Sequence, residues 1–390
     1  MDQRKSRRAF VGLGLKAGIA ASILPPALLS CDTKSESKQE GADQNPAKLK
    51  ILILGGTSFL GPHQIASAIS RGHTVSTFTR GKTMPSIHQA LFEQVEQLIG
   101  DREDNLTALE NRKWDVVIDN SGRNVEWTKK SASLLKENCG LYLYTSSTGV
   151  YFPYEKDGHQ EDDEVLLSLP EGVDENMKFV YEYGIMKANS ELAAIAEFGP
   201  DKTIVIRPTY MIGPADKTNR FIHWPIRLSQ GGEVLVPGKE TDMVQYMDVR
   251  DVADWMIRLA EEKQGGTFNA VGPKGAQNVH EFVAEAAKAF EVETSFVKID
   301  DYEFLKENGI EYIVPWIMPL DGNQGSALIS NDKAIANGLQ FRPLSETVKD
   351  TYDWWNSASV SQEQRDQVAQ NPESILAREQ AIIAKWKALQ

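Results

Sequence analysis

Three hundred and ninety residues, 41% hydrophobic and 25% charged, are enough to bury a full core in one large domain or two modest ones. The formal charge of −13 argues against a nucleic-acid partner. With two cysteines and six scattered histidines (His63, His73, His88, His159, His223 and His280), neither a disulfide scaffold nor a metal site is expected.

Residues 1–30 read as an address. The basic stretch Arg4-Lys5-Ser6-Arg7-Arg8-Ala9-Phe10-Val11 precedes an uncharged run from Ala17 to Ser30, and its Ser-Arg-Arg-x-Phe resembles the twin-arginine export signal. The apolar run is short for a span of ~20 residues and is broken by Pro25-Pro26. Leu28-Leu29-Ser30-Cys31 resembles a lipobox, in which Cys31 becomes the acylated first residue. Residues 31–48 are polar and rich in Ser, Lys, Gln and Glu, as in a flexible linker. The expectation is a bacterial lipoprotein exported by the twin-arginine route to the periplasmic face of a membrane, touching that membrane only through its lipid. Cleavage before Cys31 removes five basic residues and one acid, taking the charge from −13 to −17. Cys139 is then left without an in-chain partner, which fits a protein folded in the cytoplasm before export.

From Lys50 the pattern is α/β. Lys50-Ile51-Leu52-Ile53-Leu54 is a continuous apolar run, as in a strand buried on both faces of a parallel sheet, and Gly55-Gly56 ends it. Helical spacing from Phe59 to Arg71 and a strand at Thr74 to Phe78 complete a strand-helix-strand unit. Further strands are expected at 97–99, 115–120, 141–146 and 203–207, with helices near 125–137 and 188–198. The fold class is thus a Rossmann-like doubly wound parallel sheet over residues 49–208. After Pro208, glycine and proline cluster more densely, and 209–355 reads as a smaller substrate-binding lobe with interleaved returns to the first domain. Residues 356–390 form a helical tail, whose apolar positions from Ile375 to Leu389 suit docking on the core or association as a homodimer.

The turn Gly55-Gly56-Thr57-Ser58-Phe59-Leu60-Gly61 lies between the first strand and the first helix, where glycines let backbone amides approach a pyrophosphate. The second strand ends at Thr79-Arg80, where an acid would hold the ribose of NAD; the guanidinium of Arg80 suits the 2′-phosphate of NADP and tilts the expectation from NAD toward NADP. Asp101, beside Arg102, is a candidate adenine contact. Tyr183 and Lys187, four apart, share a helical face, and an ammonium near a phenol favours the phenolate that moves a substrate proton. Thr145-Ser146-Ser147-Thr148 ends a central strand, with Ser147 the best placed hydroxyl.

Together with Gly100-Asp101-Arg102, Tyr144 to Tyr151, Ile206-Arg207-Pro208, Gly213-Pro214 and Tyr246 to Ala253, these motifs resemble the extended short-chain dehydrogenase/reductases, the NAD-dependent epimerase/dehydratase family, from about Lys50 to Trp355. The resemblance implies a catalytic Ser147, Tyr183 and Lys187. It also implies a dinucleotide held by residues 55–61, Arg80, Asp101, Arg102, Ser121, Lys187 and Pro208, and a small-molecule substrate, a sugar or related hydroxyl or carbonyl compound, near Thr148, Tyr210 and Arg220. Thr148-Gly149 stands where sugar-nucleotide dehydratases carry Asp-Glu; Tyr210 and Val244 stand near positions where epimerases present asparagine and arginine to a nucleotide diphosphate. The expected function is an epimerase or oxidoreductase with a tightly bound, recycled cofactor. The alternatives are a reductase consuming NADPH and a non-catalytic cofactor-binding scaffold.

Overall fold

The computed structural model describes residues 47–120, 122–319 and 323–390. The export signal, Cys31, nearly all of the linker and the candidate Ser121 lie outside the described residues.

The apolar run at the start of the domain forms β1 (Lys50–Leu54), with Ile51 to Leu54 wholly buried. It is followed by β2 (Thr74–Thr79), β3 (Glu96–Ile99), β4 (Trp114–Asp119), β5 (Cys139–Thr145) and β6 (Thr203–Pro208). Beyond these come β7 (Met211–Ile212), β8 (Gly232–Pro237), β9 (Met247–Asp248), β10 (Gly266–Ala270) and β11 (Thr294–Ile299). Seven strands make one sheet in the order β10-β6-β5-β4-β1-β2-β3, and every pair in it is parallel. The order reverses between β1 and β4. A doubly wound sheet leaves a crevice at the carboxyl ends of its strands there.

Helices Leu60–Ser70 and Val249–Glu262 cover one face, burying Ile65, Ala68, Trp255 and Leu259 with Ile51 and Ile53. The opposite face carries Val125–Leu135 and Lys178–Phe198, whose Ala132, Leu135, Ala194 and Phe198 pack with Leu52, Leu54 and Tyr142. Alternate side chains of a strand point to opposite faces, so one continuous apolar run feeds both cores.

Helix Lys178–Phe198 begins ten residues before the expected start at Ala188. Its first turn lacks a side-chain cap and exposes Phe179 (78%), so neither capping chemistry nor an apolar stripe marks the beginning.

The lobe has a core of its own around Trp224, Phe282, Val234 and Trp316, with β8 and β11 paired in parallel. The tail from Ser361 is two helices, Gln362–Ala369 and Ile375–Lys387, with Pro372 in the break. The second docks on the lobe: Ile382 and Ile383 join its core, and buried Glu379 pairs with buried Arg227. Among the described residues no helix is long and apolar enough to cross a membrane.

Candidate active site

Backbone geometry builds the first part of the site. Gly55 and Gly56 take φ of 106° and 114°, which side-chain-bearing residues rarely adopt. A Cβ on Gly61 would stand 2.4 Å from the Cα of Gly56, so only glycine lets the helix Leu60–Ser70 start directly on the turn. Phe59 accepts a φ of 28° at that junction, a strain of the kind that gathers at ligand-binding turns.

The turn opens into a groove of about 720 Å³ at the carboxyl ends of the strands. Residues 55–60 form its floor, and Arg80, Lys82, Arg123 and Lys217 bring positive charge to its walls. Asp101, Glu103, Asn120 and Thr145 also line it. Thr57 and Thr83 close on each other through their hydroxyls at 3.0 Å. A dinucleotide fits this set: a cradle closed to any side chain, a helix N-terminus for the diphosphate, and a cavity of ligand size.

The second part is the turn after β5. Ser147 caps the short 3-10 helix Thr148–Tyr151, its Oγ accepting from the amide of Gly149 at 3.0 Å. Its own hydroxyl hydrogen is therefore free to be donated elsewhere. Helix Lys178–Phe198 lies directly on this turn, because a Cβ on Gly184 would be 2.3 Å from the Gly149 carbonyl oxygen. The Tyr183 ring lies over Gly149, where an added Cβ would be 3.1 Å from Cε1 and 3.3 Å from Ser147 Oγ. Tyr183 keeps 41% of its surface exposed.

One helical turn further, Lys187 is buried. Its Nζ donates to the carbonyl oxygens of Thr145 at 2.9 Å and Gly122 at 3.4 Å, and stands 5.1 Å from the centre of the Tyr144 ring. Burial lowers its pKa to about 8, against the pull of the Asp119 and Glu191 carboxylates. Ser147, Tyr183 and Lys187 thus converge on one turn at the end of β5, whose Thr145 also lines the dinucleotide groove.

Arg102, expected to touch the cofactor, lines the groove between Asp101 and Glu103, and its guanidinium is also held by Asp119. It makes two hydrogen bonds to Asp119, at 2.6 and 2.8 Å, and one to Ser131 at 2.9 Å, all buried. Tyr142 also donates to Asp119, at 2.6 Å. Burial pushes the Asp119 carboxyl up, but Arg102 and the Tyr142 hydroxyl hold it below the ordinary range. A charge buried at the end of β4 requires such a partner, so Arg102 serves Asp119. Pro208 is buried at the end of β6, and its carbonyl lies 3.4 Å from the Thr148 hydroxyl.

Around these lie supporting residues, of which Glu191, Gln64 and Tyr154 were not singled out in the sequence. Glu191 accepts from Arg207 at 2.6 and 3.0 Å and from the hydroxyl of Ser146, tying the long helix to β5 and β6. Thr145, Asn120 and Gln64 form a chain of hydrogen bonds, 2.8 Å and 2.6 Å. Burial pushes the pKa of Tyr154 up to about 12. Tyr210 stands next, beside Tyr154 and Tyr312, with the exposed Arg220 guanidinium 5.8 Å from its ring centre. The spacing of Glu191, two turns after Tyr183 on the same helix, is the one signal from which it could have been found. Among the described residues no group of three or more His, Cys, Asp or Glu is placed to hold a metal.

A family model described as the NAD dependent epimerase/dehydratase family matches residues 51–271. The chloroplast stem-loop binding protein of 41 kDa b from Arabidopsis thaliana is 28% identical over 242 residues, 58% of this chain. The match spans 59% of that relative's length. Among solved structures, the Bordetella bronchiseptica enzyme WbmH in complex with NAD+ is 17% identical with a TM-score of 0.56, covering 80% of this chain and 100% of its own. UDP-N-acetylglucosamine 4-epimerase from Bacillus cereus is 16% identical with a TM-score of 0.57, again over 80% and 100%. UDP-glucuronic acid 4-epimerase from Bacillus cereus in complex with NAD is 16% identical with a TM-score of 0.53, over 81% and 99%. These likenesses share the doubly wound architecture. The family match covers more than half of the chain and runs from β1, through the glycine turn and the Tyr183 helix, to the last strand of the sheet; the chain belongs to the NAD dependent epimerase/dehydratase family.

Proposed function

We propose that this protein is an NAD(P)-dependent epimerase or oxidoreductase acting on a hydroxyl or carbonyl group of a sugar or related compound, with Tyr183, Lys187 and Ser147 as its reacting set. The observation that carries this is the convergence of a 41% exposed Tyr183, the Ser147 hydroxyl and the buried Lys187 on the turn after β5. When bound, the nicotinamide dinucleotide supplies hydride acceptance and return. Residues 55–61 would hold its diphosphate, with Arg80 and Asp101 toward the adenosine end. Tyr183 Oη takes the proton of the substrate hydroxyl, and the Ser147 hydroxyl donates to the oxygen as its charge develops. Lys187, anchored on Thr145, contributes a positive charge to the same end of the sheet.

Sugar substrates are supported by the sugar-nucleotide epimerases among similar structures, and redox chemistry by the family. Arg80 and Lys82 favour NADP, whereas WbmH and UDP-glucuronic acid 4-epimerase are each in complex with NAD. The stem-loop binding in the plant relative's name is not carried over, because a chain of charge −13 repels a polyanion. Export as a lipoprotein anchored through Cys31 belongs to the same proposal and is supported by the sequence of residues 4–31.

Outside the cytoplasm replacement cofactor is scarce, so the cofactor travels with the protein and returns to its starting state in each cycle. The test is mass spectrometry of small molecules released from natively exported protein, followed by turnover without added dinucleotide. Released NAD or NADP together with turnover unsupported by added cofactor is the expected result. Protein that arrives empty and consumes NADPH stoichiometrically is a reductase instead.

A further inference from the structure

Beyond Tyr210, on the lobe side of the site, lies a second cavity of about 280 Å³. Tyr210 joins it to the reacting set, since Thr148, next to Ser147, donates its hydroxyl to the carbonyl oxygen of Pro208, two residues before Tyr210, at 3.4 Å. The cavity's volume lies just below the range of about 300–1,000 Å³ usual for ligand sites, as suits a small ligand.

Among the described residues, the charged side chains that line it are Lys239 and Asp242, one of each sign. Asp242 is buried and rigidly held. One carboxylate oxygen accepts from the Tyr302 hydroxyl at 2.6 Å, the other from Trp316 Nε1 at 2.9 Å and the Lys239 amide at 3.1 Å. Lys239 sets its exposed ammonium 4.4 Å from the Tyr302 ring centre. Val244, where the resemblance looks for an arginine, is buried in the lobe core. Arg220 lies outside this cavity's walls, with its Nε on the Thr218 hydroxyl at 2.9 Å.

A nucleoside diphosphate brings two negative charges, which proteins meet with forked guanidinium clamps or an excess of cations. Here, among the described lining residues, a carboxylate fixed by Tyr302 and Trp316 and a single ammonium stand in place of such a clamp. Like charges brought together at a binding site reject the wrong partner. Tyr210 and Tyr302 instead offer aromatic walls, and Thr241 and Ser326 offer hydroxyls, a set suited to the ring faces and hydroxyl groups of an uncharged sugar.

We propose that this cavity takes an uncharged monosaccharide unit, free or as a glycoside, in place of a nucleoside diphosphate. The assignment of the cavity to the substrate rests on the reading of Tyr183 given above. The test is calorimetric titration of the full chain, loaded with NAD, using methyl glucosides and methyl galactosides of both anomers beside UDP and UDP-glucose. At least one glycoside is expected to saturate, with UDP and UDP-glucose bound about tenfold or more weakly. Asp242→Asn is expected to tighten UDP binding about tenfold. Failure of every glycoside to saturate, or tighter binding of UDP or UDP-glucose than of any glycoside, overturns the proposal. Nicotinamide absorbance in the same samples separates the two readings. Reduction by UDP-glucose that disappears in Tyr183→Phe, with no glycoside bound, sinks the uncharged-sugar class and leaves the Tyr183 chemistry standing. Glycoside binding with no reduction does the reverse.

Discussion

Replacing Tyr183 by phenylalanine is expected to lower single-turnover nicotinamide reduction by about 10²–10⁴-fold, the usual contribution of a positioned proton-transfer group, while dinucleotide binding stays within a few-fold of wild type. The phenol ring lies over Gly149 and would lie there equally as phenylalanine, so packing against the turn is kept. Only the hydroxyl is lost. The dinucleotide groove is walled by residues 55–60, Arg80 and Asp101, and Tyr183 is not among its walls. The check is absorbance of the bound nicotinamide after mixing with substrate, beside a fluorescence titration of dinucleotide. An unchanged rate removes Tyr183 from proton transfer and favours a scaffold that keeps the fold.

The largest stability effect is expected at a residue that touches neither substrate nor the exposed groove. Asp119→Ala leaves the Arg102 guanidinium buried at the end of β4 without its carboxylate, and deprives the Tyr142 hydroxyl of its acceptor. Removing one partner of a buried pair costs about 3–5 kcal/mol, so the denaturation midpoint should fall far below wild type. Asp119→Asn keeps two acceptor sites on one oxygen and should cost less. Chemical denaturation of the three proteins, compared at a common slope, decides the matter. Equal midpoints for Asp119→Ala and wild type would show that the pair adds nothing to the fold.

The doubly wound sheet was legible because its strands are buried on both faces. A run such as Ile51 to Leu54 has no other stable home, and Gly55-Gly56 after it marks the turn. The reacting residues were legible as spacings: Tyr183 and Lys187 are one helical turn apart whatever the surroundings. What spacing could not reveal was where each side chain is spent. Arg102 stands beside Asp101 in the chain, yet its guanidinium is held by Asp119, 17 residues on, because β4 brings a buried carboxylate within reach. Lys187 lies one helical turn from Tyr183, and spacing alone could not show that the carbonyl oxygen of Thr145, from the neighbouring strand end, also holds its ammonium. The start of the long helix was hidden for a local reason, since Met177 at its N-cap makes no side-chain bond. Asp242 gave no signal, because nothing in its neighbourhood tells that Tyr302 and Trp316 will fold over it.

All of this depends on the glycine turn after β1 and the Ser147 turn after β5 serving one bound dinucleotide. A crystal structure of the protein with NAD or NADP tests that most directly. The account predicts the diphosphate against the amides of residues 56–61 and the nicotinamide ring within contact distance of both Ser147 and Tyr183. A dinucleotide whose nicotinamide points away from the end of β5, or whose diphosphate lies off the first turn, would contradict it.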